Sequence, residues 1–511
     1  MRESGILMPV SSLPGPYGIG CFGTEAETFV DFLAAAGQKI WQILPLSPTG
    51  YGDSPYQSCS AFAGNPYFID LDALKAEGLL TAAQLKAESW GEDPLQVDYG
   101  TLYTSRYKIL RAAYAAWRRQ CEGLHGCAHY YPDAYYAFTL ENESWLEDYA
   151  LYMALKTANQ MKSWTEWPRA YRMRDGHALA AFRAEHEEEI GFWKFLQYEF
   201  AIQWKKLKAY ANAKGIQILG DIPIYVSADS VDAWVGGKLF ELAADGSFAR
   251  VAGCPPDYFS ADGQLWGNPI YDWDRMKQDN YRWWVGRIGF AKKIYDIVRI
   301  DHFIGFNSYY AIPFGSKTAH GGKWCEGPKY DLFRVIKQET GNGGIIAEDL
   351  GIITPPVRKL LRQAAYPGMK VLQFAFDPSG DSEYLPQNYK SQNCAVYTST
   401  HDSDTAAGWF NDLDRNTKRF VKEYLGIRKA AELPRAFIDI AWKSTADIAM
   451  TTIQELQGFG TEARINVPST VGNNWRWRTL KEDFTDENAE YLNRLTEITN
   501  RKPPVKRKNK K

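Results

Sequence analysis

Three acidic residues stand at or just beyond the ends of short apolar runs. IYDIVRID closes on Asp301, GGIIAE closes on Glu348, and CAVYTST is followed by His401 and Asp402. Such runs read as buried parallel strands. A carboxylate at the end of one is shielded on the strand side and open on the loop side, where parallel α/β proteins carry their chemistry. Two carboxylates facing one cleft are what cleavage of a glycosidic bond requires.

Arg299 lies two residues before Asp301 on the same run, so both side chains point to the same side. A fixed guanidinium lowers the pKa of a neighbouring carboxyl and keeps it ionised, as a nucleophile must be. The same triplet also reads as a structural ion pair at a barrel rim. Glu348, desolvated at a strand end, suits a general acid that holds its proton near neutral pH. A helix cap or salt bridge is the plainer reading, and Asp349 competes for the role. Adjacent strand residues face opposite sides, so only one of the two can serve the cleft. His401 and Asp402 could grip vicinal sugar hydroxyls as the ring flattens toward an oxocarbenium ion. Their alternatives are a helix N-cap, which suits Asp404, or a metal site. The seven His are scattered along the chain, and the one HxxxH pair, His125 and His129, is far in sequence from these acids, which counts against the metal.

Asp221 in ILGDIPIYV is a fourth strand-end carboxylate, placed to support rather than react. Tyr258, Phe259 and Trp266 sit on a loop at 255–269 with Pro and Gly hinges. These aromatics either clamp a sugar chain or pack beneath a subdomain. The stretch 51–67, which contains Tyr56, is similarly aromatic and follows the second apolar run. No Gly-rich phosphate loop, GxSxG elbow or Cys/His dyad stands in a strand–turn–helix context.

Something must hold these residues together. Eight apolar runs occur, at 5–10, 39–46, 216–224, 295–301, 344–349, 369–376, 394–400 and 463–468, with helical segments between them. Thr24 and Glu27 have capping-box spacing, a helical stretch from Ile190 to Lys214 stops at Gly215, and another runs from Tyr281 to Lys293. Thr354–Pro355 opens a helix as a cap and first-turn proline. Eightfold alternation predicts a (β/α)8 TIM barrel with large, mostly helical inserted subdomains. The expected barrel comprises 1–67 and 189–500, including a loop subdomain at 227–273. Residues 68–188 form the main helical insertion, and 501–511 a disordered basic tail.

The formal net charge of −2 gives no reason to expect nucleic acid or an anionic membrane as partner. Eighteen Trp and thirty-one Tyr exceed what a core needs and suit the apolar faces of sugars. Seven Cys without a CxxC pair, and a start unlike a secretory signal, predict reduced thiols and a cytoplasmic protein.

Longer strings go beyond general pattern: SSLPGPYGIG, WQILPLSPTGYGDSPYQ, PPDYFSADGQLWGNPIYDW, VRIDHFIGF, IIAEDLG, YTSTHDSDT and RINVP…NNWRWR. In this order, across nearly the whole chain, they resemble the 4-α-glucanotransferases, or amylomaltases, of the α-amylase-like clan. The resemblance implies Asp301 as nucleophile, Glu348 as general acid/base and Asp402 as transition-state stabiliser. It places Arg299 beside the nucleophile and His302, His401 and Asp221 at substrate-contacting positions. Tyr258 and Phe259 match a loop covering the acceptor side, and Tyr56 and Trp266 lie in substrate-facing stretches. It implies α-1,4-glucans and maltooligosaccharides as substrates, glucose as an acceptor, no organic cofactor and no required catalytic metal. Ile304 and Ser403 depart from the family pattern, where a basic residue and Asn are usual. The alternatives are an amylase-type hydrolase, or a glucan-binding protein without catalysis.

Overall fold

The computed structural model describes residues 2–50, 52–125, 131–243, 246–256, 262–351, 353–377 and 379–501. Twelve strands occur among them: β1 (Glu3–Leu7), β2 (Ile40–Gln42), β3 (Gln217–Ile222), β4 (Arg250–Cys254), β5 (Gln264–Pro269), β6 (Ile297–Ile300), β7 (Ser308–Pro313), β8 (Lys323–Glu326), β9 (Ile345–Ala347), β10 (Gly368–Val371), β11 (Cys394–Tyr397) and β12 (Ile448–Thr452). Eight close a parallel barrel in the order β1-β12-β11-β10-β9-β6-β3-β2. The expected (β/α)8 barrel is present.

Seven of the eight sequence runs supply barrel strands; the eighth does not. β12 is IAMTT, which pairs with β1 on one side and β11 on the other and so closes the ring. Residues 463–468 have no free strand edge to join. They begin in a one-turn helix, Thr461–Ala463, and continue as an irregular rim segment.

The inside of the barrel is filled by Ile40, Leu219, Ile346, Met369, Val371, Ala395, Tyr397 and Met450, all buried. Alternation then carries the next inward positions up to the C-terminal rim: Leu219 leads to Asp221, Ile346 to Glu348, and Tyr397 by two steps to His401. The inner column is thus apolar below and polar at the mouth, where the βα loops begin.

Between β2 and β3 lie helices at Leu71–Ala76, Ala82–Lys86, Tyr99–His125, Asp133–Glu141, Glu143–Ala158, Arg169–Arg172 and Gly176–Glu185. The Glu143–Ala158 helix packs on the long Glu187–Ala213 helix that leads into β3. Tyr149, Leu151 and Tyr152 share one continuous buried cluster with Phe192, Phe195 and Leu196. Strands β4 and β5 form a four-stranded antiparallel sheet, β5-β4-β7-β8, with strands from beyond residue 273. Trp266 therefore stands on strand β5, not on a loop.

Two local expectations change. The Thr24–Ala35 helix has Gly23 as its N-cap and no side-chain cap, so Thr24 is its first residue. Arg501, assigned to the tail, is fully buried. Its guanidinium donates to the carbonyls of Trp442 at 2.9 Å and Glu3 at 3.0 Å, fastening the start of β1 to the helix before β12. Residues 502–511 lie outside the described residues.

Candidate active site

Three consecutive barrel strands, β3, β6 and β9, end in Asp221, Asp301 and Glu348. The register pairs Asp221 with Arg299 and Ile300 with Ala347, so residues far apart in the chain meet at one level of the rim. The Asp301 amide donates to Ile222 O and the Glu348 amide to Ile300 O, both at 3.0 Å. Arg299 is buried between two carboxylates. Its Nη1 lies 2.5 Å from Asp221 Oδ2 and 3.0 Å from Asp301 Oδ1. Asp221 has no exposed side-chain surface, whereas Asp301 keeps 26% exposure, so the guanidinium is anchored from below and holds a carboxylate that opens into the cleft.

Glu348 is buried and accepts two backbone amides, His302 N–H at Oε2 and Leu350 N–H at Oε1, each at 2.7 Å. Burial pushes its carboxyl up to about 7, with Arg299 opposing and the nearby Asp301 adding to the rise. Asp349 goes the other way. It accepts Met369 N–H at 2.6 Å, outside the barrel bore. A Cβ at Gly368 would meet that carboxylate at 2.6 Å, so glycine is needed there. The alternation thus separates the two acids and gives Glu348 to the cleft. His302, whose amide fixes Glu348, adopts a left-handed backbone (φ 48°), a strained conformation for a non-glycine residue. Desolvation lowers the pKa of its imidazole, and the Trp266 ring meets it edge-on at 5.0 Å.

Asp402 approaches from β11, farther round the barrel. Desolvation pushes its carboxyl up, but His401, Asn466 and Arg299 outweigh that and hold it well below the usual range. His401 Nε2 stands 3.3 Å from Asp402 Oδ2, and Asn466 Nδ2 donates to Oδ1 at 2.6 Å. The Tyr56 hydroxyl donates to Asp221 Oδ2 at 2.9 Å and lies 2.9 Å from His401 Nε2. Its ring stacks on His401 at 5.2 Å, and Trp475 backs both. A continuous polar chain therefore runs Asp301–Arg299–Asp221–Tyr56–His401–Asp402.

The structure brings together Asp301, Glu348, Asp402, Arg299, Asp221, Tyr56, His302, His401 and Trp266. Tyr258 and Phe259 lie outside the described residues. Asp404 does not cap the Ala406–Asp412 helix; Thr405 does, through Gly408 N–H at 3.1 Å. Among the described residues no group of three His, Cys, Asp or Glu side chains could hold a metal ion.

Three supporting residues were not singled out from the sequence: Asn466, Trp475 and Glu455. The first two belong to the rim segment misread as a strand and to the NNWRWR string beyond it. Glu455 follows β12 and gives no sequence signal. It is completely buried and accepts Ser399 Oγ at 2.5 Å and Ala406 N–H at 2.9 Å, one from each end of the segment carrying His401 and Asp402. Burial pushes its carboxyl up to about 7. Glu455→Ala would leave both donors unsatisfied, at about 1–3 kcal/mol each. A melting temperature lowered by several degrees is expected; an unchanged melt would show that the 399–406 segment stands without this staple.

With this geometry in place, likeness to known proteins becomes decisive. The family model described as 4-alpha-glucanotransferase matches residues 8–482. The chain belongs to the 4-alpha-glucanotransferase family. It is 45% identical to the 4-alpha-glucanotransferase of Clostridium butyricum over 97% of this chain and 100% of that one. With the Thermus thermophilus 4-alpha-glucanotransferase it shares 42% identity over 98% and 99%. The amylomaltase of Streptococcus agalactiae, solved with acarbose, superposes with a TM-score of 0.94 at 41% identity, covering 98% of this chain and 100% of that one. The departures from the family pattern, Ile304 and Ser403, lie off the three acids. Ser403 Oγ accepts Thr400 N–H at 2.7 Å, closing the turn that carries His401 and Asp402.

Proposed function

We propose that this chain is a 4-alpha-glucanotransferase that moves segments of α-1,4-glucan onto other α-1,4-glucans or onto glucose by a retaining double displacement. One conjunction carries the reading: family membership over nearly the whole chain, together with the Asp301 carboxylate held by Arg299 at the cleft beside the Glu348 carboxyl raised to about 7.

In the first step an Asp301 oxygen attacks the anomeric carbon while Glu348 gives its proton to the departing 4-oxygen. A β-linked glucosyl ester forms on Asp301, and the shortened glucan leaves with a free 4-hydroxyl. Esterification removes the charge of Asp301, which had helped to raise Glu348, and leaves Arg299 to lower it. The group is thereby tuned to act next as a base. Glu348 takes the proton of an acceptor 4-hydroxyl, whose oxygen attacks the anomeric carbon and releases Asp301. Asp402, held ionised by His401 and Asn466, grips hydroxyls of the flattened ring. Tyr56 and Asp221 keep the two halves of the site in register, and Trp266 and His302 supply an aromatic wall.

Transfer requires a sugar to outcompete water at the ester. Incubation with maltotriose alone tests this. Expected products are glucose and a ladder of longer maltooligosaccharides, with reducing ends nearly constant. Shortening only, with steady growth of reducing ends, would make the protein a hydrolase instead.

We also place the enzyme in the cytoplasm. The six described cysteines are not in disulfides, which supports a reducing compartment. Among the described residues no helix is long and apolar enough to cross a membrane.

A further inference from the structure

We propose a second saccharide-binding groove on the flank of the barrel, away from the catalytic acids, that holds a segment of α-1,4-glucan; the choice of glucan rests on the glucanotransferase reading above.

A cavity of about 1310 Å3 opens between the Asp133–Glu141 and Glu143–Ala158 helices, the long Glu187–Ala213 helix and the Arg282–Ile294 helix. Pockets for single small ligands usually measure ~300–1,000 Å3, so this one has room for several sugar units. None of Asp301, Glu348 and Asp402 lines it.

Four half-buried rings form part of the wall: Phe62, Trp145, Trp283 and Phe290. Phe62 and Trp145 lie nearly parallel, 16° apart with centroids at 6.4 Å. Phe290 stands edge-on to both, at 5.4 and 5.8 Å, and Trp283 is edge-on to Phe62. Together they present flat apolar surface inside a concave site. A sugar ring, apolar on its face and polar around its edge, covers such surface while its hydroxyls reach the rim.

The polar lining narrows the ligand class. Four carboxylates and four basic groups line the groove, so it carries no net charge. Lys293 and Glu141 stand 3.6 Å apart within it. A phosphorylated or otherwise anionic ligand would meet as many carboxylates as cations. A neutral polyhydroxyl chain finds charged donors and acceptors in equal supply.

The Arg282–Ile294 helix adds a separate indication. It turns Gly286 and Gly289, one turn apart, toward the groove. A Cβ at Gly286 would meet nothing within 4 Å, and at Gly289 only Thr340 Cγ2 at 3.9 Å. Glycine is a poorer helix former than alanine, and packing requires neither residue. Their effect is to keep the helix backbone bare, open to close approach by a bound chain.

Such a groove would tether a polymeric substrate and raise its effective concentration at the cleft, with no benefit to a substrate too short to reach both. The test uses the full chain, with Trp145→Ala to remove a ring and Gly286→Trp to fill the groove without removing any wall contact. Retardation in native gels containing amylopectin is expected to weaken at least about threefold in both variants, with the KM for amylose rising to match. Turnover of maltotriose should stay within about twofold of wild type, since three sugar units occupy only the cleft. If Trp145→Ala does not fold, Gly286→Trp decides. Wild-type retardation of Gly286→Trp, or equal loss on maltotriose and amylose, would overturn the groove. Failure of the wild-type protein to disproportionate maltotriose would instead strike at the glucanotransferase reading, while gel retardation would still report on the groove.

Discussion

Asp301→Asn is expected to lower kcat for maltotriose disproportionation by at least about 10⁴-fold, the scale of loss when a covalent nucleophile is removed. The change is nearly isosteric, and Arg299 keeps its shorter contact to Asp221, so the buried cation is not orphaned. The melting temperature should therefore hardly move. A donor with a fluoride leaving group should not restore turnover, because the missing step is attack at carbon and not protonation. Activity within tenfold of wild type would assign the nucleophile elsewhere.

Glu348→Gln tests the other half of the chemistry and should cost about 10²–10⁴-fold on maltotriose, the usual contribution of a positioned general acid. Its signature differs from that of Asp301→Asn. Fluoride departs without a proton, so a maltotriosyl fluoride donor should recover formation of the glucosyl ester. The pH profile carries a second signature. Glu348 must be protonated to start the reaction, and its carboxyl is raised to about 7 by burial, against Arg299 and with help from Asp301. Ester formation is then fully competent below that value and declines toward tenfold per pH unit above it. In Glu348→Gln this alkaline limb should vanish. Persistence of the limb would mean that another group titrates in the rate, and the assignment of Glu348 as acid would fall.

The local patterns read from the sequence held where one element settled the matter. Apolar runs located seven barrel strands, and the three that stop at or just before an acid located Asp301, Glu348 and Asp402. Two-residue periodicity put Arg299 beside Asp301 and allowed only one of Glu348 and Asp349 into the cleft. Reading failed where tertiary context chose between similar strings. ARINVP looks more like a strand than IAMTT, yet IAMTT follows a helix that returns it to the open gap between β1 and β11. ARINVP arrives with both edges taken and lies on the rim, where Asn466 reaches Asp402. Trp266 was assigned to a loop because Gly and Pro surround it; pairing of β5 with β4 made it a strand residue facing His302. Arg501 looked like the start of a basic tail, but the carbonyls at the foot of the barrel accept its donors.

From the sequence alone came the fold class, the identity of the strand-end acids and, through long shared strings, the family. Those rest on spacing and residue type, which the linear chain contains. The Tyr56 link between Asp221 and His401, the staple made by Glu455 and the tuning of Glu348 came only with the folded barrel. Each depends on burial and on distances between strands far apart in sequence, and barrel closure sets those quantities.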